Sequence, residues 1–167
     1  MILAEAGVQM VGGLDLTTVQ VETAAATIKD YVFPFGFEIL DWGVLITEDF
    51  SAHTTDPVVA IQVLDKTGGT VTTVSSLTLG SSNTSLYKGD GTKEVQTLIT
   101  ADTDLLNGHV VWGPRESMPY KTSTSNILRL AVTTAANGST GAITPFAFVK
   151  PLIDARSAKS WMDTSSS

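Results

Sequence analysis

The chain alternates short runs of strand-type residues with residues that favour tight turns. Runs rich in Val, Ile, Thr and aromatic residues are separated by Gly68-Gly69, Asp90-Gly91, Asn107-Gly108 and Asn137-Gly138. This spacing is typical of antiparallel strands joined by short loops. The pattern predicts eight strands, at about 14–23, 31–47, 57–65, 70–79, 92–100, 109–113, 127–134 and 143–150. Only residues 22–29, which include three consecutive alanines, invite a short helix.

The segment 31–47 changes the phase of its alternation partway along. Its apolar positions are odd-numbered up to Ile39 and even-numbered from Leu40 onwards. Because side chains alternate between the two faces of a strand, a one-residue change of parity moves the apolar set to the other face. The pattern therefore predicts a phase break near Leu40, which a bulge or bend near Gly43 would produce. It also predicts that Trp42 packs in the core.

The last predicted strand carries large residues on both of its faces. Phe146 and Phe148 occupy one parity, and Ala147 and Val149 occupy the other. A strand of this kind is expected to be buried on both sides.

Eight short strands with uneven loops favour a two-sheet antiparallel β-sandwich of the jelly-roll kind over a closed barrel or a repeat. The chain of 167 residues is of single-domain length. Residues 1–13, apolar and interrupted by glycines, are expected to form an extended N-terminal arm. The sandwich domain is then expected at 14–160, and residues 161–167, which end in three serines, form a C-terminal tail.

Composition narrows the range of partners. The 24 Thr and 15 Ser residues favour strands and leave few charges, with a net charge of −7 and no cluster of Lys or Arg. Nucleic acid and anionic membranes are therefore not expected partners, because both require a concentrated basic patch. The chain has no cysteine, and its first residues lack the features of a signal peptide. We expect a soluble protein made in the cytoplasm.

The sequence offers little catalytic chemistry. His53 could bind a divalent ion together with Asp49 and Asp56, but a solvated loop histidine is the favoured interpretation. Asp102-Thr103-Asp104 resembles the start of a calcium loop, yet the later ligand positions do not fit. The chain also has no nucleophile elbow, phosphate-binding loop or dinucleotide motif. We therefore expect no enzyme activity, no catalytic or metal-binding residue and no cofactor.

The tryptophans and the chain ends are the candidate contact residues. Trp42, Trp112 and Trp161 could stack on a sugar, although core packing is favoured for the first two because both lie in strand patterns. Apolar side chains near the two ends would be exposed if the ends were free, and they form the predicted partner interface: Ile2, Leu3, Val8, Met10, Trp161 and Met162. Two interpretations remain open. Both ends fold back on their own sandwich, or at least one end packs on a partner.

Four segments resemble the jelly-roll decoration, or cement, proteins of tailed bacteriophage capsids. They are the aromatic strand at 33–42, the turn and strand at 105–111, and the closing strands at 127–134 and 143–149. The resemblance lies in the general pattern of these strands and turns, and it covers most of residues 30–150. It implies a homotrimer on the capsid surface of the virion, with an arm or end of each subunit contacting the major capsid protein. It brings no catalytic residue. The alternative is a receptor- or carbohydrate-binding jelly-roll module of a phage particle.

Overall fold

The computed structural model describes residues 7–13, 19–21, 26–33, 36–65, 67–80, 87–89, 96–98, 101–122, 125–137 and 140–152. Within these ranges the regular structure is all-β, apart from short 3-10 turns at Asp102–Asp104 and Arg115–Ser117. The strands are β1 (Gln9–Gly12), β2 (Val19–Gln20), β3 (Ala26–Val32), β4 (Phe37–Glu48), β5 (Val58–Leu64), β6 (Val71–Thr78), β7 (Tyr87–Gly89), β8 (Gln96–Leu98), β9 (Val110–Trp112), β10 (Tyr120–Thr122), β11 (Ile127–Thr134) and β12 (Ala142–Pro151).

The strands form two antiparallel sheets, as the alternation predicted. The large sheet has the order β1-β12-β4-β9-β7-β8, with β2 also paired to β12 and β10 also paired to β4. The small sheet has the order β3-β11-β5-β6. Apolar residues of both sheets meet in one core between them. The predicted two-sheet antiparallel sandwich is therefore confirmed.

The connections follow the jelly-roll pattern. β1 and β2 pair with successive parts of β12, and β9 and β10 pair with successive parts of β4, so each pair acts as one interrupted strand. If each interrupted strand is counted once and the β7–β8 hairpin is left out, the described chain has eight strands. Numbered from 1 to 8 along the chain, they have the order 1-8-3-6 in the large sheet and 2-7-4-5 in the small sheet. These orders correspond to the two Greek keys of a jelly roll. The β7–β8 hairpin extends the large sheet beyond β9.

Several predicted strands lie where the sequence placed them, but the predicted helix is wrong. β5, β6 and β11 fall at the predicted 57–65, 70–79 and 127–134. Residues 26–29 of the predicted helix belong instead to β3, which pairs with β11. The β-branched residues of this segment and its cross-strand partners outweigh the helical preference of alanine. Residues 22–25 lie outside the described part of the chain.

The predicted phase break is confirmed at Leu40. Phe148 of β12 pairs with Asp41, and Val149 pairs with Ile39, so Leu40 is the extra residue of a β-bulge. Ile39 before the bulge and Trp42 after it are both fully buried. The bulge therefore keeps the apolar side chains of both halves of β4 on the core side.

The suggestion that the bend lies near Gly43 is wrong. Gly43 sits in regular register, opposite Phe146 on β12 and opposite Trp112 on β9. A Cβ atom at this position would lie 2.8 Å from Cζ of Phe146. The glycine therefore makes room for a ring and does not turn the strand.

The centre of the core is Trp42, whose side chain is fully buried, as predicted. Its indole ring lies directly over Gly113, where any Cβ atom would overlap the ring. The two residues are also joined by a hydrogen bond from the Gly113 amide to the Trp42 carbonyl oxygen, 3.0 Å long. This part of the core is thus fitted to the shape of an indole.

Part of the predicted N-terminal arm belongs to the sandwich. Residues 9–12 form β1, in which Gln9 pairs with Val149 and Gly12 pairs with Phe146. Gly12 and Gly13 both have positive φ values, 80° and 67°, so the backbone turns sharply directly after this pairing. For residues 9–12, the structure follows the interpretation in which the arm folds back on its own domain.

An ion pair joins two strands on the outer face of the small sheet. Nε and Nη2 of Arg129 donate to the two carboxylate oxygens of Asp30, over 2.7 and 2.8 Å. These hydrogen bonds hold the pKa of Asp30 below its ordinary value and raise the pKa of Arg129. A carboxyl group whose pKa is lower in the folded state stabilises the fold above its unfolded-state pKa, and loses this effect as the pH falls through its folded-state pKa.

The variant Asp30→Asn should therefore be less stable than the wild type at neutral pH and equally stable in acid. We expect a difference below about 1 kcal/mol in the free energy of unfolding, because the pair is partly exposed. Urea denaturation between neutral pH and about pH 2 measures this difference. A difference that persisted unchanged in acid would show that the loss of charge is not its cause.

Candidate functional site: an aromatic face on the large sheet

The outer face of the large sheet carries apolar side chains where a sandwich commonly presents polar ones to water. On β12, Ala147 and Val149 belong to the core, so Phe146 and Phe148 point away from it. On β9, Val111 belongs to the core, so Trp112 points outward as well. Met10 of β1 lies directly beside Phe148 and shares its face. We call these four residues, Met10, Trp112, Phe146 and Phe148, the aromatic face.

The three rings form one contact cluster. The ring centroids of Trp112 and Phe146 lie 5.3 Å apart, with the ring planes at 87°. Trp112 and Phe148 lie 6.3 Å apart with nearly parallel planes, and the two phenylalanines lie 5.9 Å apart, edge to face. Each of these arrangements is favourable for aromatic pairs, by roughly 0.5–1.5 kcal/mol beyond simple burial. The three rings therefore hold one another in place, with Phe146 buried and Trp112 and Phe148 partly exposed.

One glycine explains how the ring of Phe146 lies so close to the sheet. Across the outer face, one cross-strand row reads Gly12, Phe146, Gly43 and Trp112. The ring of Phe146 lies over Gly43, where a Cβ atom would be 2.8 Å from Cζ of that ring. Phe146 is only 7% exposed although it points away from the core. The rings of Phe146 and Trp112 meet with their planes at 87°. The lack of a side chain at Gly43 thus lets the ring of Phe146 approach the backbone of β4.

One edge of the aromatic face is open to solvent. Met10 is 52% exposed, and Val8, which lies just before β1, is 56% exposed. Both belong to the predicted partner interface. Met10 is paired with Phe148, and Val8 lies two residues before Met10 in the chain. The other predicted interface residues, Ile2, Leu3, Trp161 and Met162, lie outside the described ranges. The described part of the predicted interface is thus one side of a larger apolar surface.

Charged residues border the aromatic face on its β4 side. Asp41 pairs across strands with Phe148, and its carboxylate lies 3.8 Å from Nε of Arg115. One row further on, Glu38 stands between Lys121 of β10 and Lys150 of β12. An apolar centre with a polar rim is the usual composition of a protein interface.

The expected core position of Trp112 is corrected by the structure. The side chain is half-buried and lies on the outer face, while Val111 fills the core position. Alternation identifies two faces of a strand, but in the three-residue strand β9 both faces carry apolar residues. The sequence contained one signal for the aromatic face. Phe146 and Phe148 are two residues apart, and residues two apart on a strand lie on the same side of the sheet.

In the described structure, carboxylates near the two histidines accept hydrogen bonds from backbone amides of other loops. The backbone amide of His53 donates to Oδ2 of Asp102 over 2.8 Å. The amide of Asn107 donates to Oδ1 of Asp49 over 2.7 Å. In the described part of the chain, no group of three or more His, Cys, Asp or Glu residues could hold a metal ion. Nor is any helix in those ranges long and apolar enough to cross a membrane.

Comparison with protein-family models, with curated proteins and with solved structures gave no match in any of the three.

Proposed function

We propose that this chain is a virion structural protein, a capsid decoration or cement protein that binds the outer capsid surface as a homo-oligomer and stabilises the shell. The observation that carries the proposal is the aromatic face, which runs into the exposed side chains of Val8 and Met10. Contiguous apolar surface of this kind on a folded domain marks an interaction site. Jelly rolls are also a recurrent architecture of capsid and lectin domains.

The composition of the face suits a protein partner. Aromatic residues and Met are enriched in protein interfaces, and the neighbouring charges of Asp41 and Arg115 can orient the partner. Complete burial of a side chain such as that of Met10 is worth about 1.5–3 kcal/mol. Since the rings already hold one another in place, little conformational freedom is lost when a partner covers them.

In this proposal, the aromatic face and the chain ends contact the major capsid protein. The contact set consists of the predicted residues Ile2, Leu3, Val8, Met10, Trp161 and Met162, together with the three rings. The oligomer is a homotrimer, as the resemblance implies, and it lies on the capsid surface after synthesis in the host cytoplasm. Its role requires neither a cofactor nor a catalytic residue.

The variant Met10→Asp should bind undecorated capsids at least about tenfold more weakly than the wild type, which corresponds to 1.4 kcal/mol. Met10 is half-exposed, so the substitution leaves the core intact and places a charge on the aromatic face. Co-sedimentation with capsids measures the affinity, and light scattering measures the mass of the free protein. The matched control is Leu106→Asp, which changes an apolar side chain of 43% exposure in a loop outside the face.

Equal capsid binding by the wild type, Met10→Asp and Leu106→Asp would remove the aromatic face from the proposal. A wild type that does not bind capsids at all would remove the proposed function.

A second candidate function, a receptor- or carbohydrate-binding module, is favoured by one observation. Trp112 is a partly exposed indole on a sheet face, and the ion pair of Asp41 and Arg115 borders that face. Aromatic rings with a few polar groups beside them are suited to hold a small ligand. Its near-parallel stacking on Phe148, however, leaves only one ring face for a sugar. Glycan binding that is lost in Trp112→Ala, without capsid binding by the wild type, would favour this function.

A further inference from the structure

The outer face of the small sheet carries two cross-strand rows of opposite character. One row is polar and contains the ion pair of Asp30 and Arg129, followed by Gln62 and Thr73. Nε2 of Gln62 donates to the hydroxyl oxygen of Thr73 over 3.1 Å, so this row is linked across the sheet. The neighbouring row is entirely apolar and crosses all four strands: Val32, Ile127, Leu64 and Val71.

Exposure in the apolar row increases towards its ends. Leu64, on a central strand, is only 1% exposed. Val32 and Val71, at the two ends, are 70% and 45% exposed. Among the described strands, β3 and β6 are the edges of the small sheet. Each edge therefore presents one exposed valine, and both valines belong to the same row.

In the described part of the chain, the β6 edge lacks the usual protection against pairing with another strand. Its eight residues, Val71–Thr78, include no charge and no proline, and Thr72, Thr73 and Ser76 are exposed. Natural edge strands are commonly blunted by charges, prolines or covering elements, because an open edge is a template for another strand. An uncharged edge of this length is therefore suited to pair with a partner strand.

The β3 edge can serve as that partner strand. β3 carries two charged residues, Lys29 and Asp30. The carboxylate of Asp30 is already held by Arg129, and Lys29 has the opposite parity to Asp30 and Val32, so it lies outside the two rows that would continue. The sheet has four antiparallel strands, so β3 and β6 run in opposite directions. A second copy in the same orientation can thus add its β3 to β6 with antiparallel pairing. The rows then continue, with Val71 beside Val32 of the neighbouring copy.

We propose that a second copy of this chain docks its β3 edge on the β6 edge, so that the small sheet continues from one subunit to the next. The contact is head-to-tail, and such contacts form closed rings when the rotation between subunits permits. This edge contact rests on the homo-oligomer of the proposed function. In the proposed homotrimer, three copies close the ring. The aromatic face lies on the opposite sheet and stays open to the capsid.

Engineered cysteines test the contact, because the chain has none of its own. Within one chain, positions 32 and 71 are three strand spacings apart, roughly 14 Å, which is too far for a disulfide. Residues directly opposite on neighbouring strands have Cα atoms about 4.5–5.5 Å apart, which permits one. The double variant Val32→Cys/Val71→Cys should therefore become a covalent trimer under mild oxidation, as seen on a non-reducing denaturing gel.

The single variants Val32→Cys and Val71→Cys are the matched controls, and each should remain a single chain. Cross-linking of Val71→Cys alone would show a two-fold contact between β6 edges and would overturn the proposal. So would an uncross-linked double variant whose mass by light scattering is that of a trimer. The proposed function would survive either result if the wild type binds capsids.

A charge on the β6 edge supplies a test without cysteines. The variant Val71→Lys should raise the dissociation constant of the oligomer at least about tenfold without changing the fold, as judged by circular dichroism, because Val71 is already 45% exposed. The variant Leu106→Lys should leave the oligomer unchanged. An oligomer equally stable in both variants would overturn the edge contact.

Discussion

Replacing Trp42 by Ala should lower the free energy of unfolding by about 3–5 kcal/mol. The indole is fully buried between the two sheets and lies directly over Gly113. The surrounding side chains can close the resulting space only in part, because the hydrogen-bonded pairing of β4 with β9 and β12 holds the backbone of β4 in its sheet. The cost therefore combines lost burial with a cavity.

Urea denaturation followed by circular dichroism measures the effect of Trp42→Ala. Trp112→Ala is the control, since it removes an indole that is only half-buried and lies on the outer face. Water can fill the space left by Trp112, so this variant should lose less stability. A loss below about 1 kcal/mol for Trp42→Ala would place Trp42 outside a packed core.

Replacing Gly12 by Ala should cost about 2–5 kcal/mol, from two additive causes. The φ of 80° at Gly12 is unfavourable for a residue with a Cβ atom, by roughly 1–2 kcal/mol. The added Cβ would also overlap the carbonyl oxygen of Pro145 and lie 3.1 Å from Cα of Phe146. Both are backbone atoms of β12, so relief requires β1 to move away from the sheet, at a further cost of about 1–3 kcal/mol.

Gly68→Ala separates these two causes. Gly68 has a similar φ, 71°, but a Cβ at this position would meet nothing within 4 Å. Its substitution should therefore cost only the conformational part, roughly 1–2 kcal/mol. Thermal or urea unfolding of both variants gives the difference directly. If both variants lowered the free energy of unfolding by the same amount, the close approach of β1 to β12 would contribute nothing to the cost of Gly12→Ala.

The sequence predicted the fold well where alternation and turns agreed. β5, β6 and β11 were predicted nearly to the residue, because each is a run of strand-type residues bounded by turn residues. The bulge at Leu40 was also predictable, since a change of parity in a long strand has few other physical causes.

The aromatic face was not predicted, for a physical reason. β12 is apolar on both faces, and its alternation does not say which face meets the other sheet. Trp112 was assigned to the core on the same grounds. Deciding between faces requires the cross-strand partners, above all Gly43 and Gly12, which come from distant parts of the chain. Val8 and Met10 could be named from sequence only because so few charges surround them.

The positions of β11 and β12 within the two sheets determine when the chain can fold. β11 lies between β3 and β5, and β12 lies between β1 and β4, so each sheet has one of the last two described strands at its centre. The local β5–β6 hairpin can pair early, but β12 must find partners more than a hundred residues earlier in the chain. Such non-local pairing is slow, on the order of milliseconds to seconds. The small sheet can therefore be completed on the ribosome only after β11 has emerged, and the large sheet only after β12 has emerged. A chain cut before residue 142 would lack the strand between β1 and β4.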